Sequence, residues 1–189
     1  AKWNSSGVIQ WQRSLSTPIG SYVFVTLFGT TNILISFYET ICCGAVSDDQ
    51  LMLISSAGAL VKSVYSTSNT ITYSGNVSND GTNYYHAVRN YDGYVYVFKL
   101  NPSTLATTSA VRISAASVTV GSGIATDSSG NSYIIMTISG STNAYILKLN
   151  SSLSSQFQNK LSISGASSMY VNNINGADAN AFYISGYQY

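Results

Sequence analysis

The chain has 189 residues, of which 45% are hydrophobic and only 8% charged, with a formal net charge of +1. The charged share is roughly a third of the usual one, yet the apolar share and 15 tyrosines exclude a disordered chain. No Lys/Arg cluster exists for phosphate binding, and no apolar run reaches the length of a membrane-spanning helix.

The chain opens on an alternating run, a small polar turn and a second alternating run, Lys2-Trp3-Asn4-Ser5-Ser6-Gly7-Val8-Ile9-Gln10-Trp11. No basic segment leads into an apolar stretch, and Ala1 is not Met. A processed chain or an excised piece fits this start, so secretion stays open. Tyr22–Phe28 and Ile33–Tyr38 follow, rich in β-branched and aromatic residues that favour strands. Thr40-Ile41-Cys42-Cys43-Gly44 reads as a bulge or insertion in the second of them. A disulfide between neighbouring cysteines needs a strained ring, so Cys42 and Cys43 are expected as free thiols. Free thiols suit a reducing cytoplasm, including one in which virus particles assemble.

The opening phrase then recurs. The second copy runs over 51–64 with Ser55-Ser56-Ala57-Gly58 as its turn. The third starts at Val97-Phe98-Lys99-Leu100-Asn101, and the fourth at Ile146-Leu147-Lys148-Leu149-Asn150. Anchored on Asn4, Ser55, Asn101 and Asn150, the spacings are 51, 46 and 49 residues. Other turns carry Asn79-Asp80-Gly81, Tyr91-Asp92-Gly93, Asp127-Ser128-Ser129-Gly130-Asn131 and Asn175-Gly176-Ala177-Asp178, residues that tolerate tight hairpins. The clearest unit has strands at 123–126, 132–139, 144–149 and 157–163. No segment has helical periodicity with caps.

A repeated hairpin at this period points to β-propeller blades. The expected fold is all-β, one domain over 1–189 with about four four-stranded blades. Their bounds fall near 17–65, 66–114, 115–163, and 164–189 completed by 1–16. Met169–Val171 and Phe182–Tyr187 read as first and second strands, and Ala1–Leu15 as third and fourth. Either the two ends pair and close the ring, or both belong to a longer array.

Ala1–Leu15 resembles the repeat of SBBP-type β-propellers, as found in bacterial surface proteins and in structural proteins of tailed phages, notably cyanophages. Asp127–Ile134 and Tyr183-Ile184-Ser185-Gly186-Tyr187 resemble other parts of that repeat. The resemblance implies a propeller scaffold with a virion or surface location, and it carries no catalytic motif.

Catalytic material is scarce: one histidine, His86, and one glutamate, Glu39. His86 lies in an aromatic strand and reads as a packed histidine. Glu39 with Asp48 or Asp49 would be needed for two-carboxylate chemistry. No Gly-x-Ser-x-Gly elbow occurs. The Asp80 and Asp127 turns lack calcium-loop spacing and read as hairpins. Trp3 and Trp11 read as packing between units. The residues singled out for ligand binding are Asn90, Tyr91, Asp92, Tyr94, Tyr187 and Tyr189, whose Tyr and Asn chemistry suits adaptable binding loops. No enzyme activity, cofactor or metal is expected.

The expected function is that of a phage virion protein, a tail fibre, spike or capsid appendage. It would adhere to a host-surface glycan or receptor, beside other virion proteins and with self-association open. The alternatives are a bacterial surface or secreted adhesion propeller, and a purely structural spacer or decoration.

Overall fold

The computed structural model describes residues 1–12, 14, 22–28, 32–38, 49–66, 71–73, 75–90, 92–114, 118–138, 142–162, 164–165, 169–176 and 181–188. Cys42, Cys43, Glu39 and Asp48 lie outside the described residues, as does the expected bulge at 40–44. The described residues form strands and turns and no helix, so the expected all-β class holds.

A first hairpin joins β1 (Lys2–Trp3) to β2 (Ile9–Trp11). A four-stranded antiparallel sheet then follows in chain order: β3 (Tyr22–Phe28), β4 (Asn32–Tyr38), β5 (Asp49–Ser55) and β6 (Leu60–Ser66). In the next unit the first strand is split into β7 (Ile71–Tyr73) and β8 (Val77–Asn79), both pairing with β9 (Tyr84–Asn90). Gly75 sits at the split, where a Cβ would lie 0.9 Å from the Ala87 carbonyl oxygen, so only glycine fits there. β10 (Tyr94–Leu100) and β11 (Thr107–Ser114) complete that sheet. A third sheet holds β12 (Val118–Thr126), β13 (Ser132–Ile138), β14 (Asn143–Leu149) and β15 (Ser155–Ser162), close to the strands read from the sequence. β16 (Met169–Asn175) and β17 (Tyr183–Gln188) form a last pair.

The burial gradient explains the sequence pattern across each sheet. Tyr84–Val88 of β9 are all buried, because this second strand has a neighbouring unit on both faces. β10 and β14 alternate, and β15 is mostly exposed, which matches its polar sequence. Successive units stack face to face with one apolar layer between each pair. Leu34 and Leu53 meet Val77, Tyr84 and Leu105 across the first such layer. Tyr85, Val95 and Val97 meet Ile124, Ile134 and Leu153 across the second. Tyr133, Ile135 and Ile146 meet Met169, Val171 and Ile174 across the third. Each fully buried side chain of this kind stabilises by about 1.5–3 kcal/mol.

The four repeated turns share one hydrogen-bond plan. The anchor N–H donates to a carbonyl four or five residues on: Asn4 to Val8, Ser55 to Ala59, Asn101 to Ala106 and Asn150 to Ser154. The anchor side chain accepts backbone N–H groups inside the turn: Asn4 from Ser6 and Val8, Asn101 from Ser103 and Thr104, Asn150 from Ser152 and Ser154. Ser55 accepts from Ala59. Gly7 and Gly58 take the left-handed backbone in two copies, whereas Leu105 (φ 58°) and Leu153 (φ 61°) take it in the others. That conformation disfavours leucine. Both leucine side chains are buried in an inter-unit layer, which offsets the cost.

Of the two readings of the chain ends, pairing of the terminal hairpins is not seen among the described residues: β1–β2 and β16–β17 are separate two-stranded sheets. The first hairpin is instead held on the β3–β6 sheet. Trp11 Nε1 donates to the Ser56 carbonyl at 2.8 Å, Lys2 Nζ reaches the same oxygen at 3.2 Å, and the Trp11 ring lies on Gly58. Trp11 therefore packs between units as expected, whereas Trp3 is 56% exposed.

Candidate ligand-binding cavity

The first strands of the four units lie side by side: β3 against β8, β8 against β12, and β12 against β16. Their C-terminal ends surround a cavity of about 220 Å³. β3 contributes Val25 and Thr26, β8 contributes Val77 and Ser78, and β12 contributes Ile124, Ala125 and Thr126. Ile174, Asn175 and Gly176 line the fourth side.

Among the described residues that line it none is ionisable, and they offer hydroxyl and amide groups without a fixed charge. Second-row contacts orient them. Asn79 Nδ2 donates to Thr26 Oγ1 at 3.0 Å, and Thr126 Oγ1 lies 3.3 Å from Ser132 Oγ. One residue before Val77 and Ile174, Asn76 Nδ2 donates to Asn173 Oδ1 at 3.1 Å, which ties the second unit to the fourth.

Side-chain hydrogen bonds close the turns beside this end of the strands. Asp80 Oδ1 accepts the Thr82 and Asn83 N–H groups at 2.7 and 2.6 Å, and Asp80 Oδ2 accepts Asn83 Nδ2 and the Tyr85 hydroxyl. Asp127 does the same with Ser129, Asn131 and Tyr133. These are side chain-to-backbone turns, which agrees with the hairpin reading of both motifs. Burial alone would raise the Asp80 carboxyl, but the Asn83 and Thr82 N–H groups and the Tyr85 and Asn83 side chains hold it below its ordinary range. Burial pushes the Tyr85 phenol up, helped by its hydrogen bond to Asp80 and the charges of Asp80 and Asp127.

The residues singled out from sequence lie elsewhere. Asn90 and Asp92 flank the β9–β10 turn, at the opposite end of β9 from the cavity, roughly 20 Å away at ~3.3 Å per residue. Asp92 Oδ1 accepts the Tyr94 N–H at 3.0 Å, and the Gly93 N–H donates to the Asn90 carbonyl at 3.1 Å. Tyr91 and Tyr189 lie outside the described residues, as does the side chain of Tyr187. Two partners were missed. The Tyr96 hydroxyl donates to Asp92 Oδ2 at 2.8 Å, and the Arg112 guanidinium stands 4.4 Å from the Tyr94 ring centre. Tyr96 shares a strand face with Tyr94, and Arg112 is directly opposite Tyr96, so strand alternation and register carry that signal.

His86 is 2% exposed, with Nε2 3.2 Å from Ser36 Oγ, and sits between the first two units as the packed histidine expected. Among the described residues no three His, Cys, Asp or Glu side chains cluster. No family model and no curated protein matches the chain.

Proposed function

We propose that the chain is a non-catalytic β-propeller-type module, each four-stranded unit being a blade, that binds a small neutral polyhydroxylated group such as a glycan residue. Within that reading it is a structural protein of a tailed-phage virion, carried on a tail fibre, spike or capsid appendage and used for host-surface adhesion. The observation that carries the binding role is the cavity at the meeting point of four first strands, lined by Thr26, Ser78, Thr126 and Asn175 and, among the described residues, by no ionisable one. Such a lining can pair with sugar hydroxyls and supplies no positive side chain to offset the charge of a phosphate or carboxylate. Face-to-face stacking of the units along the chain supports the blade reading. The virion assignment rests on the resemblance of Ala1–Leu15 to the phage versions of the repeat.

The test is a glycan array, together with host cells, probed with multivalent protein at low and high salt. Binding is expected to be weak per copy, stronger with valency and nearly independent of salt. Binding lost at moderate salt would contradict a neutral site. No binding at either salt would favour a spacer.

A further inference from the structure

We infer that the cavity takes its ligand through the gap between β3 and the β16–β17 pair, and that Tyr183, on the wall of that gap, is the platform on which a pyranose ring stacks. The inference rests on the sugar-binding reading of the cavity and adds the side chain that selects a ring over an open-chain polyol.

Exposure marks the way in. Among the described lining residues only Val25, Asn175 and Gly176 are exposed, and the rest are buried or half-buried. Val25 belongs to β3, whereas Asn175 ends β16 and Gly176 follows it. β8 and β12 each lie between two first strands, but β3 and β16 do not lie side by side in that way. The cavity therefore opens between these two.

Register places Tyr183 on the wall of the opening. The second-strand residues Leu34, Tyr85, Tyr133 and Tyr183 pair with Thr26, Ser78, Ala125 and Asn175, all four of which line the cavity. Leu34, Tyr85 and Tyr133 are buried because the next unit covers them: Leu34 shares a layer with Val77, Tyr85 with Ile124, and Tyr133 with Ile174. Tyr183 holds the same position and is 75% exposed. The residue equivalent to Val77, Ile124 and Ile174 in the first unit is Val25, which is 57% exposed on the far wall of the gap. One wall is thus aromatic and the other aliphatic, and both run into the cavity.

The ring is held beside the polar lining. A Cβ on Gly176 would stand 3.2 Å from Tyr183 Cδ2 and 3.6 Å from Cε2, so the ring rests one edge on this glycine and leaves most of its surface to solvent. Asn175 is directly opposite Tyr183 on the paired strand, and its amide offers both donor and acceptor. Thr26 Oγ1 accepts from Asn79, which leaves its own proton for a ligand oxygen.

A pyranose matches both features. One face of the ring presents C–H groups, which pack on the negative face of an aromatic ring, and its rim carries hydroxyls. Stacked on Tyr183, such a ring turns that rim toward Asn175 and Thr26. An open-chain polyol has the hydroxyls without the flat C–H face.

The test uses the 189-residue chain in NMR titrations with the methyl β-glycosides of glucose, galactose and mannose, and with sorbitol as the open-chain control. Wild type is expected to bind at least one glycoside more tightly than sorbitol and to shift C–H protons of one sugar face upfield, the ring-current mark of stacking. Tyr183→Ala should lose those shifts and about 10-fold in affinity, whereas Tyr183→Phe should keep both. Circular dichroism and thermal melting check that both variants stay folded. Ser78→Ala separates this inference from the reading beneath it. Weakened binding by Ser78→Ala, with affinity and shifts unchanged in Tyr183→Ala, would overturn the stacking role and leave the cavity as the site. Sorbitol bound as tightly as the glycosides would do the same. Full binding by Ser78→Ala would put the sugar outside the cavity and overturn both, as would a wild type that binds none of these probes.

Discussion

Lys99 of one unit donates to the Ser151 carbonyl in the turn of the next, at 3.1 Å, while its ammonium group lies near the Tyr85 ring of its own unit. Lys2 makes the same link to Ser56. Tyr85 in turn donates to Asp80, and Gly130 of the following unit packs within 3.2 Å of both Asp80 Oδ2 and Tyr85 Oη, measured from where its Cβ would stand. The contact between units at this end is thus a chain of one carboxylate, one phenol, one ammonium and one carbonyl.

The Asp80–Tyr85 pair should show itself first in stability. Tyr85→Phe keeps the buried ring and removes the donor to a carboxylate, a hydrogen bond worth about 1.5–3 kcal/mol. Urea unfolding should show a loss of that size with an unchanged slope. A loss below about 0.5 kcal/mol would mean that the bond is not maintained in solution.

Acid should act through the same carboxylate. Asp80 is held below its ordinary value of 3.8, so its stabilising contribution is fully present above that value and is lost as pH falls through the lower folded one. Asp80→Asn should therefore be less stable than wild type at neutral pH and lose less on acidification. Parallel melting-temperature profiles for the two proteins below the ordinary carboxylate range would contradict this.

Leu153 poses a choice between backbone and burial. Glycine would relieve the left-handed strain, about 1–2 kcal/mol. It would also remove a buried leucine, where truncation to Ala alone costs about 2–5 kcal/mol. Burial outweighs the strain, so Leu153→Gly should destabilise by about 1–3 kcal/mol. A stabilised variant would show that the side chain is not packed in the layer between the second and third units.

Gly75 leaves no such balance. Its absent Cβ would overlap the Ala87 carbonyl, which is backbone and cannot rotate away. Gly75→Ala should cost at least about 1–3 kcal/mol, the usual range for overpacking, and should loosen the β8–β9 pairing in hydrogen exchange. A variant as stable as wild type, with β9 equally protected, would show that β7 and β8 are not held in this register.

Much of the strand order was legible because the repeated phrase carries its own turn chemistry. Asn4, Ser55, Asn101 and Asn150 announce the hairpins, and Asp127-Ser128-Ser129-Gly130-Asn131 announces the turn that its hydrogen bonds then show. Leu105 and Leu153 were not legible as left-handed residues, because what holds them there is burial against another unit. The cavity was hidden for a similar reason. Val25, Ser78, Ala125 and Asn175 are ordinary strand residues some 50 positions apart, and only the meeting of four first strands brings them to one cavity. Tyr94 and Asp92 drew attention because aromatics and Asn or Asp in a turn stand out locally. Their partners Tyr96 and Arg112 needed register to be found.

Two ends of the molecule therefore compete as the place where a ligand sits, and substitutions separate them. Ser78→Ala and Asn175→Ala each remove a hydrogen-bonding group from the cavity, and neither residue is fully buried. Stability should stay within about 0.5 kcal/mol of wild type for both. Tyr94→Ala removes the ring under Arg112 at the far end, without touching the cavity. On the glycans that wild type binds, the cavity reading expects each cavity variant to weaken binding about 5- to 10-fold. That is the loss of one hydrogen bond of about 1–1.5 kcal/mol. Tyr94→Ala should then bind as wild type does. The reverse pattern, with full binding by Ser78→Ala and Asn175→Ala and none by Tyr94→Ala, would move the site to the β9–β10 turn. Because the cavity and the turn lie at opposite ends of β9, a variant at one should not disturb the other through contact. The two patterns are therefore distinguishable in a single set of titrations.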